Sequence, residues 1–201
     1  MPAGPSEVAV FADEDANPAF VASDLLSQAE HGVDSQVILI ALSEKKVTEV
    51  MEEVEQQVSE LPREEFARKA LANSKAFVLE DIQLVIDLLN EYGAEHLILN
   101  MKGYADVLPK IKTAGSVFLG PYTPESAGDY ASGTNHTLPT NGYANAYSGV
   151  SLDSFVKKIT FQEISPKGIQ KIGPSIELLA AEEELQAHKN AVTLRLDSLK
   201  K

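Results

Sequence analysis

The chain has no cysteine, which excludes disulfides and thiolate chemistry and leaves only nitrogen and oxygen ligands for any metal. That lack also suits a cytoplasmic protein. Long apolar runs are missing too. The longest, Val37 to Leu42, falls far short of the roughly 20 residues a membrane helix needs and reads as a buried strand. The opening MPAGPSEVAV lacks the basic flank and apolar core of an export signal. Basic residues are scarce: 17 Lys and Arg face 30 Asp and Glu, for a net charge of −13. Such a chain is expected to bind neither nucleic acid nor an anionic membrane. There is no HExxH zinc signature, no internal repeat and no low-complexity tract. No glycine-rich fingerprint follows the first apolar run, so nothing here would cradle the phosphates of NAD in the usual way.

What is present suffices for one core, since 44% of 201 residues are hydrophobic. Short, barely alternating apolar runs recur at Val8 to Phe11, Val37 to Leu42, Ala76 to Leu79, His96 to Leu99 and Val117 to Leu119. Runs of this kind suit strands buried on both faces. Helical patterns separate or follow them at Pro18 to Glu30, Val47 to Ser59, Glu64 to Ser74, Ile82 to Tyr92 and Ala105 to Lys112. The alternation predicts an α/β fold with a mostly parallel sheet and flanking helices, Rossmann-like but incomplete, because parallel strands need crossovers that helices commonly supply. Ligands of such sheets usually gather beyond the carboxyl ends of the strands. Most of the acidic residues in Glu44 to Glu65 and Glu177 to Glu184 fall at helical spacing and read as solvated faces. Beyond residue 150 the pattern changes. Lys158 to Glu163 reads as a further strand, and Pro166 onward as helix, broken at Gly173 and Pro174, then resuming over Ser175 to Gln186 and His188 to Lys200. The expected division is therefore an α/β part over residues 1–150 and a small helical tail over 151–201.

The stretch ESAGDYASGTNHTLPTNGYANAY, Glu125 to Tyr147, reads as a long loop with little to bury. Loops this long tend to be functional sites or linkers, and its acids, histidine and tyrosines are unlike a linker. Within it Asp129 and His136 flank Gly133, with Gly128 just before, so the backbone can fold sharply and bring both to one site. A carboxylate and imidazoles would suit zinc or a similar ion. Gln28 and His31, three apart at a helix end, can face one side; they either share a metal or simply finish the helix ahead of Gly32. Glu95 and His96 follow the helix terminator Gly93. They form either a general base with a water-orienting carboxylate, converging from the turn before the strand, or a polar strand entry. In EEELQAHKN, helical spacing would pair His188 with Glu184 in preference to Glu183.

Taken together, GPSE at Gly4 to Glu7, DLLSQAEH at Asp24 to His31, EHLI at Glu95 to Ile98, PESAGDYASGTNHTLPTNGYA at Pro124 to Ala144 and AHKNAVTLR at Ala187 to Arg195 closely resemble the histidinol dehydrogenase family, in family order. The resemblance implies a zinc-dependent, NAD-linked oxidation of L-histidinol through L-histidinal to L-histidine. By the same analogy zinc is held by Gln28, His31, Asp129 and His188, and Glu95 and His96 are the acid–base pair. Ser6, Glu125, His136 and Glu183 match substrate-contacting positions, alongside Gln28, His31, His96, Asp129 and His188. The family selects Glu183 where spacing prefers Glu184. Family members are homodimers whose tail crosses to the neighbouring subunit, so His188 and Glu183 are expected to complete the partner's site. They are also longer, and their amino-terminal half holds NAD. This chain therefore resembles a carboxy-terminal half, which either works with a complementary half or persists as a non-catalytic zinc- and histidinol-binding module.

Overall fold

The computed structural model describes residues 1–200, and the chain divides into two compact units, Met1–Phe155 and Val156–Lys201. In the first unit, strands β1 (Glu7–Ala12), β2 (Gln36–Ala41), β3 (Lys75–Val78), β4 (His96–Asn100) and β5 (Ser116–Leu119) form one sheet in the order β3-β2-β1-β4-β5. All pairs are parallel. Helices α1 (Pro18–Ala29), α2 (Glu44–Val58), α3 (Glu64–Ala72), α4 (Ile82–Tyr92) and the single turn α5 (Tyr104–Val107) make the crossovers, and α6 (Glu125–Tyr130) follows β5.

The period-two geometry of β1 decides which helix lies where. Val8, Val10 and Ala12 face a core shared with Leu25 of α1, Val50 and Val54 of α2 and Ala67 of α3. Ala9 and Phe11 face the other way, onto Val85, Ile86 and Leu89 of α4. Burial on both faces explains why these strands read as continuous apolar runs. The chain winds outward from β1 to β3 and then crosses back to lay β4 against the free side of β1. That reversal sets the starts of β1 and β4 side by side, with Val8 opposite His96.

Local signals fix the elements that carry the site. Asn17 caps α1 by accepting the Ala19 N–H at 3.0 Å, and Pro18 occupies its first turn. Gly93 ends α4 in the left-handed conformation, φ 60°. A side chain there would run into Thr113, 2.7 Å from the added carbon. The turn releases the chain directly into Glu95 and His96.

Several expected elements differ. The helix expected over Ala105 to Lys112 is the single turn α5 followed by a 3-10 turn at Leu108–Lys110, because Pro109 cannot donate the next helical hydrogen bond. The stretch from Glu125 is not structureless: it opens with α6 and contains a 3-10 turn at Tyr143–Asn145. It also buries Glu125, Leu138 and Thr140. In the second unit, Lys158 to Glu163 forms no strand and is exposed, with no neighbouring strand to pair with. Helix α7 (Pro166–Glu182) runs unbroken through Gly173 and Pro174. Pro174 forfeits one hydrogen bond at an exposed part of the helix, and Gly173 leaves room for Leu196 of α8 (Gln186–Ser198), which a methyl group would meet at 2.9 Å. The real break is at Glu183 to Leu185, where Glu184 takes φ 58°.

Candidate active site

A cavity of about 450 Å³ in the first unit is lined by Ser6, His31, Glu95, His96, Asp129, Tyr130 and His136. This falls in the size range of small-molecule sites. Its position overturns one expectation. Ser6 precedes β1, Glu95 precedes β4 and His96 opens β4, so the cavity lies at the amino ends of the strands, not beyond their carboxyl ends. The cause is the path after β5. Helix α6 doubles back over the sheet against α1, and Gly128 lies so close to Phe118 that an added carbon would sit 2.8 Å from its ring. That close approach delivers Asp129 and Tyr130 to the strand entries.

His96 is 4% exposed. Its Nδ1 lies 3.2 Å from the Glu7 carbonyl oxygen, which can only accept, so the proton sits on Nδ1 and the lone pair on Nε2. Nε2 is buried without a protein partner and lies 4.0 Å from Asp129 Oδ1. Burial lowers the His96 pKa and keeps the ring neutral at neutral pH. Beside it, Glu95 Oε2 accepts the Glu7 N–H at 3.0 Å and lies 3.6 Å from His96 Nδ1. Burial, reinforced by the Glu7 and Asp129 carboxylates, raises Glu95 to about 7. A neutral imidazole with an open lone pair and a carboxyl poised near neutrality are the ingredients of proton transfer at physiological pH.

Gln28 is fully buried at the end of α1. One end of its amide lies 2.6 and 2.7 Å from the two Glu125 oxygens, and the other end lies 2.9 Å from His31 Nδ1. Two proton arrangements satisfy these contacts. With Glu125 ionised, Gln28 donates to it through Nε2 and accepts at Oε1 from His31 Nδ1–H and, at 3.3 Å, from Ser6 Oγ; His31 Nε2 then keeps its lone pair. With Glu125 protonated, its O–H donates to Gln28 Oε1 and Gln28 Nε2 donates to His31 Nδ1. Burial first, then the Asp129, Asp24 and Glu95 carboxylates, push Glu125 up to about 9, a shift that favours the second arrangement at neutral pH.

This has a measurable consequence for stability. Between the ordinary glutamate pKa of 4.5 and about 9, folded Glu125 keeps a proton that the unfolded chain has lost. The Glu125 contribution to stability is therefore most favourable below the lower value and declines as pH rises through this window. Glu125→Gln, which keeps an amide donor facing Gln28, is expected to flatten the decline and leave the metal-free variant more stable than the parent at pH 8, by on the order of a few kcal/mol. Urea unfolding with chelator at pH 5, 6.5 and 8 reads the difference, and parallel curves would refute it. Asp24 and Glu95, each raised to about 7 by burial, leave a residual slope in both proteins.

Among the described residues no three His, Asp or Glu side chains gather closely enough to cage a metal by themselves. Of the four residues expected to hold a metal, His31 and Asp129 line the cavity, and Gln28 lies behind His31, its amide 2.9 Å from His31 Nδ1. An imidazole, a carboxylate and an amide are oxygen and nitrogen donors of the kind a zinc-type ion takes. His188 and Glu183 belong to the second unit, and both are exposed. The helical-spacing preference for Glu184 does not apply, because Glu183 caps α7 while His188 lies in α8. Sequence reasoning passed over Tyr130, which follows Asp129 directly and was legible only as one tyrosine among several. It also passed over Glu7, whose peptide group touches both Glu95 and His96.

The histidinol dehydrogenase family model matches residues 1–196. Histidinol dehydrogenase of Bacteroides fragilis (strain YCH46) is 64% identical over 201 residues, all of this chain and 47% of that protein. Its Bacteroides thetaiotaomicron counterpart is 65% identical over 200 residues, again 47% of that protein. The crystal structure of histidinol dehydrogenase from Elizabethkingia anophelis is 60% identical with a TM-score of 0.97, covering 100% of this chain and 46% of that one. The chain thus spans about half the length of the curated relatives it matches. With its parallel sheet and its matching motifs, the chain belongs to the histidinol dehydrogenase family.

Proposed function

We propose that this chain forms the substrate-binding half of an enzyme that oxidises L-histidinol through L-histidinal to L-histidine, acting in the cytoplasm in histidine biosynthesis. One observation carries the reading: the buried His96 imidazole is held in a single tautomer with an unpartnered Nε2 in a cavity that also presents Glu95, Asp129, His31 and His136.

Gln28, His31 and Asp129, with His188 from a second copy, would hold a zinc ion. Such an ion would supply a Lewis-acidic anchor for substrate nitrogens. The acceptor for the hydride of each of the two oxidations would be an oxidised nicotinamide, held by the remainder of the longer enzyme. The residues of this chain handle the protons. His96 Nε2 takes the alcohol proton as the carbon loses hydride. At the aldehyde stage Glu95, ionised in a large fraction of molecules near pH 7, takes a proton from water as its oxygen adds to the carbonyl carbon. His96, having passed its first proton to solvent, then accepts the remaining hydroxyl proton of the hydrate anion as the second hydride departs. In all, two hydrides and three protons leave, and the water oxygen ends in the product carboxylate. Ser6, Glu125 and His136 orient the substrate. The tail, residues 151–201, carries Glu183 and His188 into the site of the other subunit of a homodimer.

The test is to purify this chain, mix it with the complementary amino-terminal half of a close relative, and follow NAD reduction with L-histidinol. Turnover that requires both halves and zinc supports the reading. A mixture that binds zinc and histidinol yet reduces no NAD would make the chain a binding module.

A further inference from the structure

Glu7 stands outside the residues given a role above, yet it touches both members of the acid–base pair. Its N–H donates to Glu95 Oε2 at 3.0 Å, and its carbonyl accepts from His96 Nδ1 at 3.2 Å. Its side chain is 7% exposed, and Oε1 accepts the Asn141 N–H at 2.9 Å. Asn141 and Gly142 both have left-handed backbones, φ 59° and 71°. An added carbon on Gly93, two residues before Glu95, would lie 3.5 Å from Gly142 Cα. The segment around Asn141 therefore straps the entry of β4 at the point where Glu95 leaves α4, and Glu7 fastens the strap. The second oxygen, Oε2, is buried with no partner. A buried carboxyl left half-satisfied is costly, so Glu7 is a poor choice for stability alone.

We propose that Glu7 is a positioning residue: its side chain, by its reach to Asn141, fixes the β1 peptide that orients the Glu95 carboxyl and selects the His96 tautomer. The turnover arm of the test rests on the proposed oxidation, whereas the spectroscopic arm does not.

Two variants separate reach from charge. Glu7→Gln keeps the oxygen at its place and removes the charge. Glu7→Asp keeps the charge and shortens the reach by one methylene. Imidazole ¹⁵N spectra of the labelled chain, with the His96 signal identified by its absence in His96→Asn, report the tautomer without any catalysis, and circular dichroism confirms that each variant is folded. Glu7→Gln is expected to retain the Nδ1–H signature, and Glu7→Asp to show mixed tautomers. In the reconstituted enzyme, compared at pH 8.5 where Glu95 is mostly ionised with or without the Glu7 charge, kcat should fall about a hundredfold in Glu7→Asp, with KM and bound zinc unchanged, and stay near the parent value in Glu7→Gln. The reverse pattern would assign the role to charge and overturn the proposal, as would two variants that both keep, or both lose, the signature. A parent enzyme without turnover, but with this spectral contrast, would sink the proposed oxidation and leave the role of Glu7 standing.

Discussion

Replacing His96 by asparagine is expected to lower kcat for histidinol oxidation in the reconstituted enzyme by about 10²- to 10⁴-fold, the range that a general base contributes. Zinc content should not change. Asparagine can still donate to the Glu7 carbonyl in place of His96 Nδ1–H, so the entry of β4 keeps one tether. What it lacks is the basic nitrogen that faces the cavity next to Asp129. Metal analysis of the variant alongside steady-state kinetics decides the matter. A parallel loss of zinc and turnover would make His96 a ligand and remove it from proton transfer.

Gly115→Ala is expected to have the next largest effect. Gly115 donates its N–H to Ala94 O at 2.9 Å, and Ser116 donates to Glu95 O at 2.9 Å, so β5 begins by clasping the turn that carries the acid–base pair. A methyl group at Gly115 would sit 2.5 Å from Glu95 O and 3.2 Å from Leu138 Cβ. The first obstacle is backbone and cannot rotate away. The strands must separate at this point, costing about 1 to 3 kcal/mol of stability and shifting Glu95 and His96 together. Urea unfolding and turnover should fall in concert, with kcat down about a hundredfold if the displacement approaches 1 Å. A variant as active and as stable as its parent would show that the strand entries give more easily than their hydrogen bonding implies.

The sheet was legible because burial on both faces leaves a plain trace: apolar runs such as Val37 to Leu42, with helical periodicity between them. Gly93 announced the end of α4 for an equally local reason. The tail was harder to read. Gly173–Pro174 looks like a helix breaker, but Leu196 packs against the glycine and the helix continues, a tertiary contact with no signature in the neighbouring residues. Gln28 and His31 could be paired from their spacing, whereas Asp129 could not be brought to them by periodicity. Its arrival depends on α6 folding back across Phe118, which sets Asp129 in the same cavity lining as His31. The rule that parallel sheets bind ligands at their carboxyl ends pointed to the wrong edge, because this cavity is built from a strand-preceding turn and a returning helix. Glu7 was invisible for another reason: much of its influence runs through its peptide group, which any residue at that position would possess.

The cavity lining contains carboxyl groups at Glu95 and Asp129 and no lysine or arginine. Before any metal binds, its electrical field therefore draws in positively charged species, a divalent cation included, and resists the entry of phosphates. Small organic cations would enter the metal-free chamber faster in dilute buffer than in concentrated salt, and a bound divalent cation would reverse that preference in favour of carboxylates.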